Sequence, residues 1–331
     1  MHISLLVPGL LDGDGVRPDT REAPDTESLA GLEWLLTLAK RQPLSLDRPA
    51  TLLATGSESL PAAALSYLHD FGQPPPGPVL RADPVNLEAD RDCVRLLMAD
   101  MPDLDMDSAR QMIAEINSLF VDEPWQLLAG TAQRWYLLLE DEAGIHTRSP
   151  AQVLGDDIHD AMPTGEDARY WRKIINEIQM LMFASPVNRQ RLEHGRLAAN
   201  SLWLWGEGTL PATGDLPWTT IYSNDPVIAG LGRQAGCEVA AVPEDAEAIL
   251  ARAATGSVLC QPELGTGMAG LGTFNDTWAW PLYKALQQVR RSGKASLQSV
   301  ELLPANGYAY VVQAGKRPWW RRRRRLDHFC R

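Results

Sequence analysis

Cysteine and histidine are scarce in this chain of 331 residues, with four of the first and six of the second. Cys93, Cys237, Cys260 and Cys330 stand far from one another, which excludes a CxxC redox pair and a zinc knuckle. Isolated cysteines in an apolar-rich chain read as small buried hydrophobes in a reducing compartment, with Cys330 set apart in the terminal stretch. His2, His69, His146 and His194 form no HxxxH or HxH pair. The sequence has neither a GxSxG nucleophile elbow nor a GxxxxGK[ST] phosphate loop. Nothing approaches an uncharged apolar span of about 20 residues, and Met1–Leu10 has neither a basic n-region nor a long apolar h-region. The expectation is a cytoplasmic protein with no transmembrane segment and no signal peptide.

Positive charge is concentrated at one end. Residues Lys316–Arg331 hold eight Lys/Arg against one acid, a local charge of +7, so with −11 overall the preceding 315 residues carry −18. A body that acidic repels nucleic acid at long range, and nucleic acid is not an expected partner. The tail has Trp319, Trp320 and the five arginines Arg321–Arg325. It reads as a segment folded against the chain's own acidic surface or as a dock for an acidic protein partner. Single-stranded nucleic acid and an anionic membrane surface are the alternatives its aromatic and basic residues leave open. The domain reading is an α/β domain over 1–315 followed by a basic tail over 316–331.

With 45% hydrophobic residues the chain can bury a substantial core. Ile3–Val7 reads as a buried strand running into a turn at Pro8-Gly9. Thr51–Ala54, Arg134–Glu140 and Asn200–Trp205 read as further strands. Helices are expected at Ser28–Leu38, Pro61–His69, Met106–Phe120, Glu166–Phe183 and Trp280–Val289, the fourth with a capping box between Thr164 and Asp167. A charged helix containing Asp90, Arg91 and Arg95 is expected after Arg81-Ala82-Asp83-Pro84. Strands Val239–Val242 and Ser257–Cys260 enclose a helix at Asp245–Ala254, the signature of a parallel layered sheet. Leu297–Leu303 and Tyr308–Gln313 flank Asn306-Gly307, a hairpin signal because both residues tolerate positive φ. The fold class is therefore α/β: a layered, mostly parallel sheet with helices on both faces and a C-terminal antiparallel hairpin.

Several segments carry possible chemistry, each with a plainer reading beside it. Gly265–Gly270 matches GxGxxG, but Asp276 follows too soon for a ribose-binding acid, and a tight loop explains the glycines. The acidic glycine clusters Leu11–Gly15 and Gly155–Asp160 resemble metal loops, yet Asp and Gly are common in turns for backbone reasons. Arg81 and Asp83, read as the end of a strand, could grip a phosphate or carboxylate, or pair with each other. Asn188 precedes an aromatic strip in which Asn200, Ser201 and Glu207 could surround a polar ligand, while Trp203 and Trp205 suit core packing equally well.

Asn176-Glu177-Ile178-Gln179-Met180-Leu181, Pro186-Val187-Asn188, Asn200-Ser201-Leu202-Trp203-Leu204-Trp205-Gly206-Glu207-Gly208 and Arg81-Ala82-Asp83-Pro84-Val85 resemble a bacterial regulatory protein family. That family is related to cofactor-independent phosphoglycerate mutases. The resemblance implies an alkaline-phosphatase-like fold, in which true enzymes hold two divalent metals with Asp and His and use a Ser or Thr nucleophile. Here the first strand ends in Pro8-Gly9 where such enzymes place a metal-binding Asp, and Asp12 and Asp14 follow later. From Gln261 to Gln313 there is no histidine, and Asp276 is the sole aspartate. The expectation is a regulatory or binding protein without the two-metal centre, with no cofactor and no metal ligands assigned and no catalytic residue named. It is expected to take a small phosphorylated or carboxylated molecule near Arg81, Asp83, Asn188, Asn200, Ser201 and Glu207. The alternative is an active phosphomutase or phosphatase with a divergent site and a divalent metal.

Overall fold

A computed structural model describes residues 1–12, 29–44, 60–91, 93–210, 212, 216–252, 256–292, 297–315 and 322–330. The strands described are, in chain order, β1 (His2–Leu6), β2 (Lys40–Pro43), β3 (Val79–Ala89), β4 (Val94–Met98), β5 (Trp125–Ala129), β6 (Trp135–Leu139), β7 (Ser201–Trp205), β8 (Thr220–Tyr222), β9 (Glu238–Ala240), β10 (Ser257–Cys260), β11 (Ser299–Leu303) and β12 (Tyr308–Gln313). They fall into two compact units, one built from Met1–Ser57 with Thr213–Arg331 and the other from Glu58–Ala212. The division lies inside the span 1–315 read from sequence as one domain. The expected strand at Thr51–Ala54 lies outside the described residues, as do Trp319 and Trp320.

The first unit holds a seven-stranded sheet in the order β2-β12-β11-β1-β10-β8-β9. Strands β11, β1, β10, β8 and β9 are parallel, and β12 and β2 close one side antiparallel. The pleat sends Ile3, Leu5 and Val7 to one face, where they join Val258, Cys260, Val300 and Leu302 under the helices Ala30–Leu38, Ala246–Ala251, Gly267–Phe274 and Trp280–Ser292. Helix Ala30–Leu38 approaches its neighbour backbone to backbone, because a Cβ on Gly31 would lie 2.5 Å from Cα of Trp280. Helix Pro226–Gln234 covers the other face, where a Cβ on Gly232 would lie 2.8 Å from Cδ1 of Ile221. The mostly parallel sheet with helices on both faces is thus as the sequence predicts. So is the hairpin, in which Gly307 has φ 81° and Asn306 Oδ1 accepts from the Tyr308 amide at 3.2 Å.

The second unit is organised around an antiparallel sheet that the sequence reading did not anticipate. Strand β3 pairs antiparallel with β6 over Val79–Arg81, with β7 over Arg81–Val85 and with β4 over Asn86–Ala89. The charged helix expected around Asp90, Arg91 and Arg95 does not form. The chain reverses where the Asp90 amide donates to the Cys93 carbonyl at 2.9 Å and returns as β4. The period there is two: Leu87 faces Leu96, which is fully buried, while Glu88 and Arg95 pair on the exposed side. Helices Met106–Leu119 and Ala168–Ala184 pack on this sheet, the latter through Trp171, Ile174, Ile175, Ile178 and Met182. Its expected capping box is absent. Thr164 instead exchanges backbone hydrogen bonds with His146, and Asp167, the residue at the cap, makes no side-chain capping bond. No helix among the described residues is long and apolar enough to cross a membrane.

Candidate functional site

Arg81 and Asp83 lie in the middle of β3 rather than at a strand end. Two residues apart on one strand, their side chains leave the same face, and both are buried. The Arg81 fork donates from Nε to Asp83 Oδ1 at 3.0 Å and from Nη2 to both carboxylate oxygens at 2.8 Å. Trp205, opposite Arg81 on β7, donates its indole N–H to Asp83 Oδ2 at 2.7 Å, and its ring lies 5.1 Å from the guanidinium carbon. Ser66 Oγ accepts from Arg81 Nη1 at 3.4 Å. Burial pushes the Asp83 carboxyl up, against the opposing pull of Arg81 and Trp205. A second charged group flanks the first. Asp70 takes hydrogen bonds from Arg134 Nε and Nη2 at 3.0 and 2.7 Å and from the Tyr136 hydroxyl at 2.7 Å.

The other four predicted residues are also bonded within the protein. Asn188 donates to the carbonyls of Met182 and Ala199, each at 2.7 Å, and accepts from the Ala199 amide at 3.0 Å. Asn200 bridges to β3 through both the N–H and the C=O of Leu87, each at 2.8 Å. Ser201 Oγ accepts from Gln179 at 3.0 Å. The Glu207 carboxylate takes the Thr147 amide at 3.2 Å and its hydroxyl at 2.5 Å. The β3–β7 pairing brings Arg81, Asp83, Asn200 and Ser201 to adjacent strands, but each spends its polar atoms on fastening the unit.

In open parallel sheets ligands gather beyond the carboxyl ends of the strands. At the end of β1 the chain turns at once: Gly9 has φ 78°, and the Leu10 amide donates to the Val7 carbonyl. At the end of β8, Ser223 Oγ donates to Gln261 Oε1 at 2.6 Å and accepts from the Asp225 amide at 3.0 Å. Asp225 Oδ1 then caps the following helix at the Val227 amide. Cys260 is fully buried and its thiol is pushed up to about 12 by that burial. Among the described residues no three His, Cys, Asp or Glu side chains stand together as a metal would require. The described strand ends therefore do not supply the donor set that two divalent ions need.

The loops singled out by pattern have backbone explanations where they are described. Asp157 Oδ1 accepts from the His159 amide, and Gly155 has φ 85°. In the GxGxxG stretch a Cβ on Gly270 would fall 2.0 Å from the Gly265 carbonyl oxygen, so these glycines permit the chain to touch itself. Of Leu11–Gly15 only Leu11 and Asp12 are described.

The described part of the tail packs on its own unit. Glu33, buried in helix Ala30–Leu38, accepts from the Leu326 amide at 3.1 Å and pairs with Arg323 at 3.3 Å. Thr37 Oγ1 accepts from the Arg324 amide at 2.9 Å, and Leu326 enters the core. Burial raises the Glu33 pKa, with the Leu326 amide and Arg323 pulling the other way. Between this segment and the β11–β12 hairpin lies a cleft of about 390 Å³, lined in part by Asp12, Arg41, Asn306, Tyr308, Arg324 and His328. Sequence reasoning did not select these residues. Arg41 sits in the uniformly exposed run Lys40–Pro43, and Arg324 is one of five identical neighbours.

No family model matches the chain. Over 142 residues, 40% of its length, it is 26% identical to the 2,3-bisphosphoglycerate-independent phosphoglycerate mutase of Methanosarcina barkeri (strain Fusaro / DSM 804), a match that covers 35% of that protein. The chain spans about a third of the length of the curated relatives it matches. Among solved structures, the PH0037 protein from Pyrococcus horikoshii aligns over 96% of this chain and 88% of its own at TM-score 0.50 and 13% identity. The cofactor-independent phosphoglycerate mutase from Thermoplasma acidophilum DSM 1728 aligns over 96% and 90% at TM-score 0.47 and 16% identity. In fold the chain is alkaline-phosphatase-like, and over two fifths of its length its sequence is phosphoglycerate mutase-like.

Proposed function

We propose that this is a phosphoglycerate mutase-like regulatory or binding protein that holds a small anionic ligand and does not perform two-metal phosphoryl transfer. The observation that carries the reading is the chemistry at the carboxyl ends of β1, β8 and β10. A two-metal centre needs several carboxylates or imidazoles converging on the ions and a free hydroxyl to receive the phosphoryl group. The described residues there are Pro8, Gly9, Ser223 and Gln261, and the Ser223 hydroxyl is committed to Gln261 at 2.6 Å. An anion still suits the frame, because the acidic body ends in a basic segment folded back onto it. The test is elemental analysis of the purified chain for zinc and manganese, paired with mutase and phosphatase assays on 3-phosphoglycerate in the presence of added manganese. The expected result is substoichiometric metal and no turnover above buffer. Stoichiometric metal with turnover lost on chelation overturns the proposal in favour of an active enzyme.

A further inference from the structure

The cleft beside the tail has the features of a built site for an anion. Arg41, on the edge strand β2, lies with its guanidinium carbon 3.8 Å from the centroid of the Tyr308 ring. Arg324 Nη1 stands 2.8 Å from Nε2 of His328. Both partners are uncharged when they make these contacts, so they orient the guanidinium groups without cancelling their charge. Among the described residues neither arginine has a carboxylate at ion-pair distance, whereas Arg323 beside them is paired with Glu33. Arg324 is also fixed at the backbone by Thr37, and Leu326 anchors the segment two residues later. The order this requires is thus present before a ligand arrives.

A second cleft of about 550 Å³ shares Arg324 and Phe329 with the first and adds Arg322 and Arg323. Two guanidinium forks over a space of this size match the oxygens of a phosphate, which can take paired N–H donors from each. Asp12 lines the same cleft and is its acidic member. A carboxylate there disfavours a second anionic group at that end and accepts a hydrogen bond from a hydroxyl.

We infer that the cleft formed by Arg41, Tyr308, Arg324 and His328, with Asp12 at its other end, binds a small hydroxylated organic phosphate. The inference rests on the reading of this chain as an anion-binding protein and names the place and chemical class. It makes the basic tail part of a ligand site: the tail supplies Arg324 and His328, and the sheet supplies Arg41 and Tyr308.

Isothermal titration calorimetry of the full chain with glycerol 3-phosphate, inorganic phosphate and glycerate tests it. Glycerol 3-phosphate binds most tightly, inorganic phosphate less so, and glycerate weakest. Arg41→Gln and Arg324→Gln each weaken glycerol 3-phosphate binding roughly tenfold or more, as expected for the loss of a charged hydrogen-bond donor. Arg110→Gln, on the exposed face of helix Met106–Leu119, leaves it unchanged. Circular dichroism melts confirm that the variants fold. No heat with either phosphate at millimolar concentration overturns the inference, as does equal affinity in the double variant or glycerate binding as tightly as glycerol 3-phosphate. Phosphate binding that survives both substitutions sinks this site but leaves the anion-binding reading standing. Metal-dependent turnover alongside binding lost in the variants does the reverse.

Discussion

The indole N–H of Trp205 donates to Asp83 Oδ2 at 2.7 Å, so the carboxylate that grips Arg81 is itself held from the neighbouring strand. The ion pair is closed on all sides, with side-chain exposures of 7% and 5%. Removing one member of such a pair strands the other charge in the interior. Asp83→Ala is therefore expected to cost about 3–5 kcal/mol in urea denaturation. Trp205→Phe, which removes one donor, costs about 1–3 kcal/mol. The double replacement Arg81→Met with Asp83→Leu costs less than Asp83→Ala alone. If Asp83→Ala unfolds at the same urea concentration as the unchanged chain, the pair is not structural.

Asp70 gives a pH dependence of definite sign. Burial works against its carboxylate, but the hydrogen bonds from Arg134 and Tyr136 outweigh it and hold the pKa below the usual aspartate value. A group depressed in the folded state contributes stability above its unfolded pKa of about 3.9 and loses it as pH falls through the folded value. Melting curves between neutral pH and about pH 3 should show a smaller acid-induced loss in Asp70→Asn than in the unchanged chain. Equal losses would remove Asp70 from the account.

Docking of the tail can be read by proteolysis. Glu33 holds both the Leu326 amide and Arg323, so Glu33→Ala should release the arginine run and speed tryptic cleavage after Arg322–Arg325. Mass spectrometry of a digestion time course measures this. An unchanged cleavage rate would mean that the segment is fixed by something other than Glu33.

At Gly31 the prediction concerns space alone. An added methyl group meets the backbone of Trp280 at 2.5 Å, and neither helix can yield a side chain to make room. Gly31→Ala should destabilise the first unit by about 1–3 kcal/mol, seen as a lower urea midpoint. A rise in stability, the usual outcome for glycine to alanine in an open helix, would show that the two helices stand further apart.

The parallel sheet was legible because its strands are short apolar runs bounded by turns, and the hairpin because Asn306-Gly307 admits only a few conformations. The stretch from Leu87 to Leu96 misled for a physical reason. Its charges dominate a short window, and the two leucines that define the period lie across a turn from each other rather than along one segment. Arg81 and Asp83 were found as a pair, but their position in mid-strand depends on β6 and β7, which arrive from much later in the chain. Arg41, Arg324 and His328 carry no pattern of their own. They become neighbours through the sheet edge and the returning tail, a juxtaposition that local periodicity does not encode.

The first unit is interrupted: β1 is completed by β10 and β11, with His2 meeting Ser299 across 297 intervening positions. During synthesis the amino-terminal strand therefore emerges long before either neighbour exists, while the second unit, continuous from Glu58 to Ala212, has all its strands available. Closing a loop of that length is slow compared with the local pairings of the inserted unit. The apolar side chains Ile3, Leu5 and Val7 must wait, unburied, until the last fifth of the chain has been made. Pulse-labelling hydrogen exchange should record this as protection gained earlier at Leu80 and Leu137 than at Leu5 and Leu302.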